Sequence, residues 1–127
     1  MQNDLRTPLS RVRGLGSAKD GTQHFWHQRL TAMANIPLIL FFLWTIISLN
    51  GADYAQTVAY LSRPFVAIVM MMVLGAGIYH MKLGMQVIIE DYVHGGMGKA
   101  LLVLNTFFSI AIAVTCGFAV LKLAFGG

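Results

Sequence analysis

The sequence predicts an all-α integral membrane protein built on three transmembrane helices. Of its 127 residues, 57% are hydrophobic and only 11% are charged, against about 25% charged in a soluble domain. A chain this small leaves much of its surface facing its surroundings, and nine basic plus five acidic side chains cannot cover that surface in water. The apolar residues also gather into three long runs, each of roughly the 20 residues that a helix needs to cross hydrocarbon. In lipid, such runs satisfy their backbone N–H and C=O groups as helices.

The elements follow in order. Residues 1–29 form a polar N-terminal segment whose opening, MQNDLRTPLSRVRG, contains Asp4 and leads into no early apolar core. It therefore does not read as a secretory signal peptide. The first span, 30–49 (LTAMANIPLILFFLWTIISL), has no charge, and its Pro37 should kink the helix or sit where a neighbour shields the freed carbonyl. Residues 50–63 carry the turn signal Asn50-Gly51. The second span, 64–89, is interrupted by His80 and Lys82; residues 90–99 contain Gly95-Gly96; the third span is 100–121. The spans leave no room for a separate soluble domain, so 1–127 reads as one membrane domain and any chemistry lies in or beside the bilayer.

Lys and Arg near the span ends set orientation. Arg6, Arg11, Arg13, Lys19 and Arg29 precede the first span and Lys99 lies in the second connection, six in all, against Arg63 and Lys122 on the opposite side. The N-terminus is thus expected in the cytoplasm and the C-terminus in the periplasm. The same asymmetry argues against reading the net charge of +4 as a nucleic-acid surface.

His80 is the polar residue of most interest. At about 1.5 Å per residue it lies roughly 16 Å from Asp91, near the bilayer middle, where ionisable groups are costly and functional by default. Gly77 and Gly84, at i−3 and i+4, share its face. They could leave a flat surface for a haem held by the imidazole. Alternatively, His80 bonds to a neighbouring helix and the glycines serve packing. Eleven residues on, Asp91 returns to nearly the same face with Tyr92 beside it. A phenol donor and an adjacent carboxylate suit the carbonyl and proton chemistry of a quinone headgroup, or form a plain helix end with an aromatic anchor. Lys82 can snorkel to the interface.

His24, Phe25, Trp26, His27 and Arg29 cluster at the entry to the first span. They read either as an interfacial belt, or with Arg29 and His24 meeting anionic cofactor groups or lining a quinone mouth. His24 and His27 are expected too far in depth from His80 to complete a metal site with it. A bis-histidine haem would therefore take its second ligand from another chain. The lone Cys116, in an apolar run, and Met70, Met71 and Met72 are expected to pack. Phosphate loops, zinc pairs and nucleophile triads are absent from the sequence.

The run HMKLGMQVIIEDYVHGG, residues 80–96, resembles the D-type hydrophobic membrane-anchor subunits of succinate dehydrogenase, respiratory complex II, in bacterial (alphaproteobacterial, mitochondrial-like) form. The matching features are the histidine, the glycine four later, and Asp-Tyr eleven and twelve later. Residues 16–34, GSAKDGTQHFWHQRLTAMA, resemble the same family's aromatic-His-x-Arg-x-Thr entry into its first helix. The Ser-x-x-His-Arg-x-Thr-Gly pattern of the sister C-type anchor is absent.

The resemblance implies a four-subunit complex in the bacterial inner membrane, with the mitochondrial inner membrane as the alternative. A flavoprotein would oxidise succinate on FAD, and an iron–sulfur subunit would carry the electrons through its clusters. Two anchors would hold a b-type haem in a helical bundle and build the ubiquinone site. Here His80 would be one axial ligand of the haem iron, the C-type partner supplying the other. Tyr92 would hydrogen-bond ubiquinone, Asp91 would support that tyrosine and proton delivery, and Arg29 and His24 would lie near the propionates or the quinone mouth. The alternatives are an anchor of a quinol:fumarate reductase and a structural or assembly protein without a redox role. A small transporter subunit fits less well, because no carboxylate lies at mid-span.

Overall fold

The computed structural model describes residues 7–14 and 20–126. In chain order it contains α1 (Pro8–Val12), α2 (Asp20–Ser48), α3 (Tyr54–Leu61), α4 (Pro64–Tyr92) and α5 (Gly95–Gly126). Three of these, α2, α4 and α5, are long and apolar enough to cross a membrane. With 29, 29 and 32 residues, each rises by more than 40 Å at about 1.5 Å per residue, longer than a hydrocarbon core of roughly 30 Å. The helices therefore outrun their apolar runs.

The largest extension is at the start of α2. The cluster from His24 to Arg29 is not a separate segment but continuous helix leading into the span. No helix breaker lies between Thr22 and Arg29, and at the interface their side chains can find water while the backbone bonds stay inside the helix. The helix also continues unbroken through Pro37. Pro64 sits at the first turn of α4, where its missing N–H costs nothing.

Two short helices were not expected from hydropathy. In α3, the Asp53 carboxylate accepts from the Gln56 N–H at 2.8 Å and the Gln56 side chain accepts from the Asp53 N–H at 3.1 Å. This reciprocal box satisfies two otherwise orphaned donors. In α1, Thr7 accepts from the Ser10 N–H at 3.2 Å, ahead of Pro8. Arg6 and Lys19, counted for orientation, lie outside the described residues.

The long helices form a row with α4 in the middle. It packs on α2 along one side and on α5 along the other, while α2 and α5 make no close backbone approach. The turn from α4 to α5 is only Val93 and His94. Gly95 takes φ +72° to reverse the chain, and Gly98 is buried beneath the Val93 carbonyl, which a Cβ there would strike. Helices in lipid are held by close packing and interhelical hydrogen bonds rather than by hydrophobic burial. Accordingly the buried residues among those described are few: Val66, Ala67, Leu83 and Ile89 on α4, with Thr45, Gly98, Asn105 and Ser109 from the flanking helices. Apolar side chains such as Ile36 and Phe107 are about two-thirds exposed (65% and 66%). The faces of the row await lipid or other helices.

Candidate functional site

His80 is half-buried on the side of α4 that meets α2. Its Nδ1 lies 3.0 Å from the Thr31 hydroxyl. Thr31 is eleven residues beyond the start of α2, and His80 is twelve before the end of α4. The antiparallel pairing therefore sets both at the same depth, about 16–18 Å from the end of the row that carries the α4–α5 turn. No hydrogen bond among the described residues engages Nε2, and that atom is not sealed from the surface. The imidazole is held at one nitrogen and open at the other.

The two glycines flanking His80 have separate roles. A Cβ at Gly77 would meet nothing within 4 Å, so the surface beside the imidazole is open there. A Cβ at Gly84 would lie 3.6 Å from Gln28 Nε2, an ordinary van der Waals contact, so Gly84 faces α2. Gly84 thus lies against α2, and Gly77 faces open space.

The face of α2 toward α4 is a polar stripe of His24, Gln28, Thr31 and Asn35, all half-buried and spaced by three or four residues. His24 Nε2 and Gln28 Oε1 are buried without a hydrogen-bond partner among the described residues. His27 lies one turn from Thr31, closer in depth to His80 than its place before the apolar run implied, because the helix starts at Asp20. It turns to Tyr79 instead, with Nδ1 2.9 Å from the phenol oxygen. Among the described residues no group of three or more His, Cys, Asp or Glu could hold a bare metal ion. His80 leaves one imidazole nitrogen, Nε2, without a hydrogen bond among the described residues, a donor chemically suited to an axial position on a haem.

Arg29 is exposed, and its guanidinium lies 5.3 Å from the centroid of the Phe25 ring, drawn back toward the start of α2. His24 and Arg29, five residues apart, sit about 140° apart around the helix, so this chain does not join them at one point. Lys82, two residues past His80, faces the α5 side, where it lines a shallow cavity with Tyr79 and Ser109. Asp91 and Tyr92 occupy the last turn of α4, both exposed, Tyr92 at 80%. Neither has a polar partner among the described residues. Cys116 is half-buried, and the Met71 methyl lies 3.7 Å from where a Cβ would stand on Gly117, a packing contact. Thr31 and Asn105 carry interhelical bonds that hydropathy did not single out; mid-span polarity was the available signal.

Residues 3–120 match the family described as succinate dehydrogenase/fumarate reductase transmembrane subunit. The chain belongs to that family. It is 32% identical over 120 residues to the succinate dehydrogenase hydrophobic membrane anchor subunit of Paracoccus denitrificans, covering 94% of this chain and 93% of the relative. The corresponding anchor subunit of Rickettsia bellii is 31% identical, over 90% of this chain and 92% of its own. A succinate dehydrogenase membrane anchor subunit of Reclinomonas americana is 39% identical over 80 residues, 61% of this chain and 67% of its own. No solved structure gives a significant match. The anchor is thus a multi-pass membrane protein and a member of an oxidoreductase complex.

Proposed function

We propose that this chain is the D-type hydrophobic anchor of a succinate:ubiquinone oxidoreductase in a bacterial inner membrane, with its N-terminus in the cytoplasm. The observation that carries the reading is His80, held through Nδ1 by Thr31 and left open at Nε2 beside Gly77. Nε2 would be one axial ligand of a b-type haem, and a C-type anchor packed on an exposed face of the row would supply the other. When bound, the haem supplies a one-electron centre between the two anchors.

The same orientation puts Asp91 and Tyr92 at the cytoplasmic interface, where a flavoprotein and an iron–sulfur subunit would dock. Tyr92 would donate its phenol proton in a hydrogen bond to a carbonyl oxygen of ubiquinone. The Asp91 carboxylate would orient that phenol and return a proton from the water side. Their exposure supports the role, since a substrate and partner subunits need them uncovered in the isolated chain. Arg29, whose guanidinium pairs with no carboxylate among the described residues, and His24 are the candidates for haem propionates or the quinone mouth. The relatives from Paracoccus and Rickettsia support the bacterial setting.

The test is the visible difference spectrum of the purified complex, with haem counted per flavin. His80→Leu should remove the six-coordinate b-haem signal. An unchanged signal would overturn the ligand assignment, and a colourless wild-type complex would favour the purely structural anchor.

A further inference from the structure

The Thr31 hydroxyl has one proton and three hydrogen-bonding groups within reach. Thr31 Oγ1 lies 2.7 Å from the His27 carbonyl and 3.1 Å from the Gln28 carbonyl, both one turn back along α2. Both carbonyls can only accept, and the His27 contact is the shortest the hydroxyl makes, which favours the proton there. The oxygen's lone pairs are then what it presents to His80 Nδ1 at 3.0 Å. With that proton on the His27 carbonyl, Nδ1 carries the hydrogen of the Thr31–His80 bond and donates it. A neutral imidazole protonated at Nδ1 has its lone pair at Nε2, the nitrogen that no hydrogen bond among the described residues occupies.

We propose that Thr31 is the positioning residue for His80: its hydroxyl, locked onto α2, selects the Nδ1–H tautomer and fixes the ring so that Nε2 can ligate haem iron. The proposal rests on the haem reading of His80. The device spans two helices. The α2 backbone orients the hydroxyl, the hydroxyl orients the imidazole of α4, and the pairing of α2 with α4 keeps both at one depth. Gln28, three residues from Thr31, lies against α4 at Gly84 in the same seam. A histidine that ligates a metal through one nitrogen commonly donates its other N–H to such an acceptor, which raises its basicity and holds its orientation. Loss of that partner typically costs about 10–100-fold in metal affinity or activity.

The experiment uses the complete complex with Thr31→Val, which keeps the shape and removes the acceptor, and Thr31→Ser, which keeps the hydroxyl. The readouts are haem per flavin, the electron paramagnetic resonance g-values of the ferric haem, and its midpoint potential. Thr31→Val should lower haem retention during dilution or chelation by about 10–100-fold. In the haem that remains, the g-values should shift, and the potential should rise because a weaker imidazole donor stabilises the ferric state less. Thr31→Ser should match wild type in all three. If Thr31→Val does not assemble, Thr31→Ala is the second hydroxyl-free variant, since alanine is readily accepted inside a helix. Wild-type g-values, potential and retention in a hydroxyl-free variant would overturn the proposal while leaving the haem reading intact. A haem signal unaltered by His80→Leu would instead overturn both.

Discussion

Asn105 of α5 donates its side-chain amide to the main-chain carbonyl of Lys82 in α4 at 3.0 Å, and its own carbonyl accepts from the Ser109 hydroxyl at 2.8 Å. Both polar residues are buried, at 8% and 4% exposure, in the middle of helices with no water to replace a lost partner. The bond ties α5 to the α4 backbone two residues from His80, on the opposite side from Thr31. Asn105→Leu should therefore loosen the α4–α5 pair by about 0.6–1.7 kcal/mol, the range found for interhelical bonds in membranes. The expected outcome is a lower thermal midpoint of the detergent-solubilised complex with an unshifted haem spectrum.

Gly98→Ala should be costlier. Its Cβ would press into the Val93 carbonyl, which is backbone in a two-residue turn and cannot rotate away. Overpacking of this kind costs about 1–3 kcal/mol. The variant should assemble poorly, as read by the yield of intact complex. Gly96→Ala, where a Cβ meets nothing within 4 Å, should assemble as wild type.

The glycines around His80 should separate by substitution. Gly77→Leu fills open space and should block haem incorporation without weakening the complex. Gly84→Leu drives a side chain into Gln28, so it should part α2 from α4 and lower stability and haem content together. Haem per flavin and a thermal melt on the same preparations check both.

Tyr92→Phe removes the proposed donor to the quinone and nothing else from an exposed position. Succinate-dependent ubiquinone reduction should fall about tenfold, the upper range for one neutral hydrogen bond, with artificial-acceptor activity from the flavoprotein unchanged. Asp91→Asn should follow the same pattern. Equal loss of both activities would indicate damaged assembly rather than a quinone contact.

The three spans, the Pro64 start of α4, and His80, Asp91 and Tyr92 were legible in the sequence. Hydropathy is a local property, and the last three residues lie on one helix whose period alone relates them. The extra turns of α2 were not legible, because polar and aromatic residues at an interface are compatible with helix or coil. The cap of α3 was written in Asp53 and Gln56, but hydropathy does not read caps.

What the sequence could not decide is which residue of one helix meets which residue of another. A lipid-exposed helix carries little amphipathic signal, so its pattern leaves open both rotation and register against a neighbour. Only the packed row decides that Thr31 reaches His80 Nδ1, that His27 turns to Tyr79, and that Asn105 finds the Lys82 carbonyl. It also decides that Gly84 faces Gln28 of α2 while Gly77 stays open. The sequence by itself determined a three-span membrane anchor with one histidine inside its second apolar run. Tertiary structure decided which of that histidine's two nitrogens is held, because the hydroxyl that holds it lies on a different helix, 49 residues away in the chain.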